Sequence, residues 1–300
     1  MSRPVVAGAD GSPESLAAAE WAAREAVRRD VPLHLVHASD WSPDQAPSAA
    51  ASVVRRHLGR GILRAAEDRI ARTCPEVRLT DEQIEGPAAE VLSQAAQQAE
   101  LLVLGSRGLS GFTGFLVGSV AQAVVARANR PVVLVEAGER SEHEHLPDED
   151  GHTSLLTPYR DVVLGIDVSE PCDEVIEFAF EAARLRGATL HAIHAWDNAS
   201  VIALGPGEPG IGEGSRREEE WRAFLTVVLQ NWRDKYPGVK VTETVVKDRA
   251  ATLLVRAASG AGLLVVGRRV RETRLGRHTG PVTHSVIHHA RCPVAVVAHG

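Results

Sequence analysis

The chain has 300 residues, of which 44% are hydrophobic, and its 33 basic and 39 acidic residues leave a formal net charge of −6. This length suits about two globular domains of ordinary size. The mild, mixed charge lacks the basic stripe that a nucleic-acid backbone selects, so we expect no nucleic-acid partner.

Cysteine usage and the N-terminus indicate the compartment. The cysteines Cys74, Cys172 and Cys292 are far apart and odd in number, which fits neither a disulfide framework nor a paired redox or zinc motif. The opening residues MSRPVVAGAD lack an export signal, and no apolar run approaches the ~20 residues that span a bilayer. We therefore expect a cytoplasmic protein without a membrane partner.

In the first half of the chain, short β-branched segments alternate with Ala-rich segments of helical spacing. The predicted strands are VVAGAD, LHLVHA, VRLTDEQI, LLVLG and PVVLV, and predicted helices begin near Pro13, Ala49, Pro87 and Ser119. This alternation favours a parallel sheet covered on both faces, because each crossover returns the chain to the same strand direction. Parallel sheets bind ligands beyond the carboxyl ends of their strands, which here means after VVAGAD and after LLVLG.

The second half repeats the first. RPVVAGADGSPES from Arg3 returns as RDVVLGIDVSEPC from Arg160, and LLVLGSRG from Leu101 returns as LLVVGRRV from Leu263. We therefore predict two tandem α/β domains, residues 1–138 and 159–300, joined by a linker at 139–158. The linker region is acidic and lacks apolar periodicity, so we expect a solvated tether; a metal site built on its histidines is the alternative.

A glycine-rich segment follows LLVLG. GSRGLSGFTGFLVGS, residues 105–119, holds five glycines and four hydroxyl side chains ahead of a predicted helix. The first amides of a helix lack intrahelical partners and carry partial positive charge, and glycines let a backbone approach an anion closely. The residues alone leave two interpretations open, a phosphate-binding loop and a plain surface loop before a capped helix.

Other phosphate motifs are absent or weak. No Gly-Lys dipeptide occurs, which excludes a Walker A loop. The stretch GPGEPG from Gly205 matches G-x-G-x-x-G, but two prolines interrupt it and it does not join a strand directly to a helix. We interpret that match as chance.

The glycine spacing also carries a family resemblance. Gly105, Gly108, Gly118 and Ser119 have the spacing G-x2-G-x9-G-S/T, which resembles the ATP-binding signature of the universal stress proteins. VVAGADGSPES, LHLVHA, EGPAAEVL and RPVVLV resemble the same family. The resemblance implies, in each domain, a Rossmann-like, doubly wound five-stranded parallel sheet of order 3-2-1-4-5. It also implies ATP, with or without Mg²⁺, at the carboxyl edge, a stress-response role, and a fifth strand that pairs the two halves or two chains of a homodimer.

The resemblance further assigns the binding residues. Asp10 would accept hydrogen bonds from adenine or ribose, with a turn aspartate as the alternative, and the small side chain of Ala38 would leave room for the base. Ser106 and Arg107 would meet phosphate oxygens. The predicted cofactor-binding residues of the first half are Asp10, Ala38, Gly105, Ser106, Arg107, Gly108, Gly118, Ser119 and Val120.

The second half keeps Asp167, Gly267 and Gly280 but has Val270 and Pro281 where the signature has glycine and a hydroxyl residue. Valine resists positive φ and proline removes an amide donor, so we expect weaker phosphate binding there. Five arginines of this region either hold an anion through their side chains or face solvent: Arg268, Arg269, Arg271, Arg274 and Arg277. We predict one competent site in the first half and a degenerate or altered one in the second.

Three functions remain open: a nucleotide-binding regulator, a slow ATPase or self-phosphorylating enzyme with Ser119 as the modified residue, and a ligand-free interaction protein. We assign no catalytic residue and no metal ligand. Histidines that recur on the second strands are interpreted as packing residues: His34, His37, His191 and His194. His284 and His288 lie one helical turn apart, which suits either a metal ligand pair or, as we favour, a plain helix face.

Overall fold

The computed structural model describes residues 2–39, 49–106, 117–196, 213–270 and 279–300. In the first half, strands and helices alternate as β1 Val5–Gly8, α1 Pro13–Arg28, β2 Leu33–Ser39, α2 Ala49–Thr73, β3 Leu79–Glu85, α3 Ala88–Gln98, β4 Leu101–Gly105, α4 Ser119–Arg127 and β5 Val132–Val135. The second half follows as β6 Val162–Gly165, α5 Asp173–Arg186, β7 Leu190–Trp196, α6 Glu213–Lys235, β8 Val241–Lys247, α7 Ala250–Ala258, β9 Leu263–Arg269, α8 Pro281–His289 and β10 Val294–His299.

Local sequence explains how the first helix begins. The Ser12 side chain caps α1 by accepting a hydrogen bond from the Ser15 amide at 3.1 Å, and Pro13 occupies the first helical position. Proline suits that position because its missing N–H would have no intrahelical partner. An alanine-rich face and the fully buried Trp21 then pack α1 against the sheet.

The ten strands form one sheet in the order β3-β2-β1-β4-β5-β10-β9-β6-β7-β8. Within each half all pairings are parallel and the order is 3-2-1-4-5, so the predicted doubly wound fold is confirmed. The two halves do not form separate sheets: β5 and β10 pair antiparallel, with Val132 opposite Val296 and Leu134 opposite Val294. Of the two pairings that we expected for the fifth strands, the structure has the one between the halves.

Side chains alternate between two apolar layers, one on each face of the sheet. In β1, Val5 and Ala7 belong to the layer covered by α1, α2, α5 and α6, whereas Val6 belongs to the layer covered by α3, α4, α7 and α8. Both layers run continuously through both halves. Such two-sided burial explains why the inner strands, for example β1, β4 and β5, are continuous apolar runs rather than alternating ones.

The segment that joins the halves is largely exposed over residues 146–158, but it is anchored at Glu144, which a fully solvated tether would not be. A short 3-10 helix, Ser141–Glu144, places Glu144 with 1% of its surface exposed, where its carboxylate accepts hydrogen bonds from Arg24 at 2.7 Å and from Arg28. Burial favours the neutral acid, but the charges of Arg28 and Arg24 outweigh it and hold the pKa of Glu144 below its ordinary value. We did not expect this anchor, because those arginines lie on α1, far away in sequence.

A second buried ion pair joins the halves directly. Arg186 of α5 donates to the Glu25 carboxylate of α1 at 2.6 Å, and both side chains are almost fully buried. Burial opposes ionisation of Glu25, yet the charges of Arg186, Arg29 and Arg28 lower its pKa strongly. The halves therefore share an ionic network as well as a sheet.

Candidate functional site

A cavity opens at the carboxyl ends of β1 and β4, where the strand order of the first half reverses. It has a volume of about 170 Å³ and is bounded by the first turns of α1 and α4. Six of the predicted residues line it: Asp10, Ala38, Gly105, Gly118, Ser119 and Val120. Arg107 and Gly108 lie outside the described residues.

The N-terminus of α4 supplies backbone donors to this cavity. Gly118 is the N-cap, with φ −62° and ψ 152°, and provides no side-chain cap. The first intrahelical bond runs from the Gln122 amide to the Gly118 carbonyl at 3.0 Å. The amides of Ser119, Val120 and Ala121 therefore have no intrahelical acceptor. These three residues line the cavity. This geometry suits an anion.

Gly105 has a structural reason to be glycine. A Cβ at this position would lie 2.6 Å from the Glu14 carbonyl carbon and 2.7 Å from the Ser15 amide nitrogen, both in the first turn of α1. Gly105 thus permits the close approach of α1 to the end of β4. Our interpretation of the glycine loop did not include this helix–strand contact.

Ser106 is not brought into the cavity. It is 8% exposed, and its hydroxyl donates to the Val135 carbonyl at 3.2 Å. Its amide donates to the same carbonyl at 2.8 Å. The residue continues the β4–β5 pairing, so the expectation that its side chain meets phosphate oxygens is wrong for this structure.

Asp10 organises the turn into α1. Its carboxylate accepts hydrogen bonds from the Ser12 amide at 2.9 Å and from the Ser12 hydroxyl at 2.5 Å. Asp167 of the second half repeats the arrangement with Ser169, at 3.0 and 2.6 Å. The turn role that we gave as the alternative is therefore present, and Asp10 also lines the cavity.

Sequence reasoning missed several lining residues. Glu14 adds a carboxylate from the first turn of α1, and Val36, Leu92 and Leu104 supply apolar surface. Glu14 could have been found from its place just after the Ser-Pro helix start. The aliphatic residues carry no such signal, because any buried strand or helix face contains similar ones.

The second half has a larger cavity at the equivalent edge, with a volume of about 500 Å³. Its lining includes three residues predicted from the sequence, Asp167, Gly267 and Gly280. It also includes Glu170 and Pro281. This volume falls within the range of about 300–1,000 Å³ typical of small-molecule pockets, whereas the first cavity falls below it. The second half therefore keeps a cavity at this edge, and its predicted degeneracy stays a prediction.

Two departures from the glycine pattern have visible consequences. Pro281 is the first residue of α8, directly after the N-cap Gly280, so one amide donor is missing there. The Val270 amide donates to the His299 carbonyl at 2.7 Å, and β9 runs on to Arg269, because valine suits an extended strand.

The two described arginines of this region, Arg268 and Arg269, make separate contacts. Arg268 is 5% exposed and donates to the Ala128 carbonyl of the first half, which contradicts its predicted role as an anion ligand or a solvated charge. Arg269 lines the second cavity and pairs with Glu170 at 2.9 Å. The other three lie outside the described residues.

The histidines on the second strands bond their neighbours. His37 donates to the Ala9 carbonyl at 2.7 Å, and its repeat His194 donates to the Ile166 carbonyl at 3.1 Å. Burial lowers the pKa of His194. The His284 and His288 rings are 4.5 Å apart, and no group of three metal-ligating side chains occurs within the described ranges.

Fold and cavities together define a tandem α/β protein with a cavity at the carboxyl edge of the sheet in each half. The family model described as "Universal stress protein family" matches residues 1–136 and 158–298, so the chain belongs to the universal stress protein family. It is similar to a universal stress protein of Mycobacterium tuberculosis. The two are 33% identical over an alignment of 310 positions, which covers 99% of each chain. A relative from Mycolicibacterium smegmatis is 32% identical and covers 98% of this chain and 96% of its own.

A solved structure supports the tandem architecture. A universal stress protein from Archaeoglobus fulgidus superposes with a TM-score of 0.71 at 17% identity, and the match covers 100% of both chains. At this identity the likeness shows the fold. Separately, none of the helices in the described part of the chain is long and apolar enough to cross a membrane.

Proposed function

We propose that the first half binds ATP and that the protein acts as a nucleotide-dependent regulator in a stress response. The observation that carries the proposal is the N-terminus of α4, which opens without a side-chain cap onto the cavity beside Asp10. The amides of Ser119, Val120 and Ala121 would hold the polyphosphate, and the base would lie toward Asp10 and Ala38. Membership of the universal stress protein family supports this assignment.

The charges of the cavity bear on how a polyphosphate is held. Among its described lining residues, Asp10 and Glu14 are acidic and none is basic. Main-chain amides and the positive end of the α4 dipole would therefore supply the attraction. A divalent cation carried by the nucleotide fits the two carboxylates, since Mg²⁺ in protein sites is commonly held by one or two of them together with substrate phosphates. Mg²⁺ would neutralise phosphate charge.

Regulation is favoured over rapid catalysis. Phosphoryl transfer requires a positioned nucleophile and charge compensation at the transferred group. The described lining of the first cavity offers hydroxyls and carboxylates but no lysine, arginine or histidine. Occupancy of the site would instead bias contacts with a partner through the different affinities of bound and free forms. A slow ATPase or self-phosphorylation at Ser119 is the second candidate.

The second half is proposed to hold a ligand that is less anionic than a triphosphate. Pro281 removes an amide from the N-terminus of α8, so fewer main-chain donors are available to phosphate oxygens there. The volume of about 500 Å³ favours a ligand site over a filled remnant.

Two matched glycine variants test the proposal. Gly118→Leu introduces a side chain at the N-cap of α4, at a φ of −62° that leucine tolerates. Gly280→Leu makes the same change at the N-cap of α8, where an added Cβ meets no atom within 4 Å. Each purified protein is treated with acid, and the released small molecules are separated and identified by ultraviolet absorbance.

We expect adenine nucleotide from the unsubstituted protein and from Gly280→Leu, and little from Gly118→Leu. Equal nucleotide content in all three proteins would reject the α4 site. No nucleotide in any of them, followed by no binding of added ATP, would favour the ligand-free alternative. Turnover of added ATP with Mg²⁺ would support the enzymatic candidate.

A further inference from the structure

A histidine of the second half contacts the chain that enters α4 of the first half. His288, near the end of α8, is 6% exposed, and its Nδ1 accepts a hydrogen bond from the Val117 amide at 3.3 Å. The side-chain amide of Gln122 lies 3.0 Å from the other ring nitrogen, Nε2. Val117 precedes the N-cap Gly118, and Gln122 lies in the first turns of α4. The His288 ring thus contacts both the residue before the N-cap of α4 and a residue in its first turn.

The chemistry of the contact fixes the ring. A backbone amide can only donate, so Nδ1 is the unprotonated nitrogen and the neutral ring carries its proton on Nε2. Nε2 then donates to the side-chain amide of Gln122, which has to present its oxygen to the ring. A buried ring held on both sides in this way has little freedom to turn, and it restrains Val117. The Val117 side chain packs in the apolar layer that also contains Val286 and Ile287 of α8.

The same half also holds the other end of α4. Arg268 donates to the carbonyl of Ala128, which is the C-cap of α4. Cationic donors at a helix C-terminus satisfy its free carbonyls and match its dipole. Both ends of the nine-residue helix Ser119–Arg127 are therefore bonded to side chains of the second half.

The contact has no reciprocal in the repeat. The residue that corresponds to His288, 162 positions earlier, is Ala126, whose side chain has no polar atom. Ala126 therefore cannot give the N-terminus of α8 the hydrogen bond that His288 gives the N-terminus of α4.

We infer that His288 is a positioning residue for the nucleotide site of the first half. By holding Val117 and Gln122, it orients the turn whose amides would face the polyphosphate, so the site is complete only when the second half is present. The inference rests on the proposed function of that site.

Calorimetric titration of the full chain with ATP tests the inference on three variants. His288→Leu removes the acceptor and should weaken ATP binding about two- to tenfold, the value of one hydrogen bond. His288→Asn keeps an acceptor near the position of Nδ1 and should remain within about twofold of the unsubstituted protein. The matched control His289→Leu changes an exposed histidine of the same helix, whose ring lies 6.5 Å from that of His288, and should leave the affinity unchanged.

Amide hydrogen exchange provides a second readout. The Val117 amide should be protected in the unsubstituted protein, and should exchange faster in His288→Leu but not in His289→Leu. An unprotected Val117 amide in the unsubstituted protein would overturn the inference even if His288→Leu fails to fold.

The outcomes separate the two claims. If the unsubstituted protein binds no ATP, the proposed function fails and the positioning role fails with it. If it binds ATP and His288→Leu binds equally well, the positioning role alone is wrong. If His288→Asn is as weak as His288→Leu, the hydrogen bond is not the cause and the inference is also overturned.

Discussion

Glu144 offers a strong test of how the two halves are held together. Glu144→Gln keeps the shape of the side chain but removes its charge, in a segment that joins the halves. The carboxylate side chain is 1% exposed, and it faces Arg24 and Arg28, whose side chains are 15% and 10% exposed. The substitution therefore leaves two largely buried guanidinium groups with one counter-charge fewer.

The expected magnitude follows from the remaining partners. Removing one member of a buried ion pair typically costs about 3–5 kcal/mol. Arg28 keeps an ion pair with Glu25 at 3.2 Å, and Arg24 retains some contact with water. We therefore expect a loss at the lower end, about 3 kcal/mol in the free energy of unfolding. With a urea slope of about 3 kcal/mol/M, the unfolding midpoint should fall by roughly 1 M.

The assay is urea unfolding at neutral pH, with Glu149→Gln as the control because Glu149 is an exposed residue of the same joining region. The control should shift the free energy by no more than about 0.5 kcal/mol. A loss below about 1 kcal/mol in Glu144→Gln would refute the claim that the buried charge stabilises the junction.

The pH dependence of the same variant has a defined sign. The pKa of Glu144 is lowered from its ordinary value of 4.5 by Arg28 and Arg24, against the effect of burial. Its stabilisation is therefore fully present above that value and is lost as the pH falls through the folded-state pKa. The difference between the unsubstituted protein and Glu144→Gln should shrink as the pH is lowered below 4.5.

Gly105 and Glu139 offer two further tests of stability. Gly105→Ala should lower the free energy of unfolding in urea by about 1–3 kcal/mol, because the new Cβ would lie 2.6 Å from the backbone of α1. The control is Gly280→Ala, and an equal urea midpoint in the two variants would show that α1 can move away from the new Cβ. Glu139→Gln concerns a carboxyl whose pKa is raised to about 7, first by burial and then by the charge of Glu144. A raised pKa means that the contribution of Glu139 to stability is present below 4.5 and lost as the pH rises through about 7. The variant should therefore gain stability relative to the unsubstituted protein between pH 5 and pH 8, by about 2–3 kcal/mol. Parallel pH profiles of the two proteins would contradict the burial of a neutral carboxyl.

The fold was predictable because its signals are local and repeated. Two copies of an alternating strand and helix pattern, with apolar runs such as LLVLG and its repeat LLVVG, define a two-sided parallel sheet in each half. The fusion of the halves into one sheet was left open. Pairing of β5 with β10 depends on how two strands meet that lie far apart in the chain.

The candidate site was predictable where it depends on strand ends and helix starts. Asp10, Gly118 and Ser119 follow from those positions, and all three line the first cavity. Interactions between distant residues carried no such signal. The ion pairs of Glu144, the contact of Arg268 with Ala128 and the contact of His288 with Val117 each require knowledge of the tertiary structure.

Calorimetric titration with ATP decides whether the first half holds the nucleotide, because it gives the number of sites as well as the affinity. We expect one ATP site per chain, which is abolished by Gly118→Leu and retained by Gly280→Leu. Two equivalent sites per chain, or a single site that survives Gly118→Leu, would contradict the assignment of the polyphosphate to the N-terminus of α4.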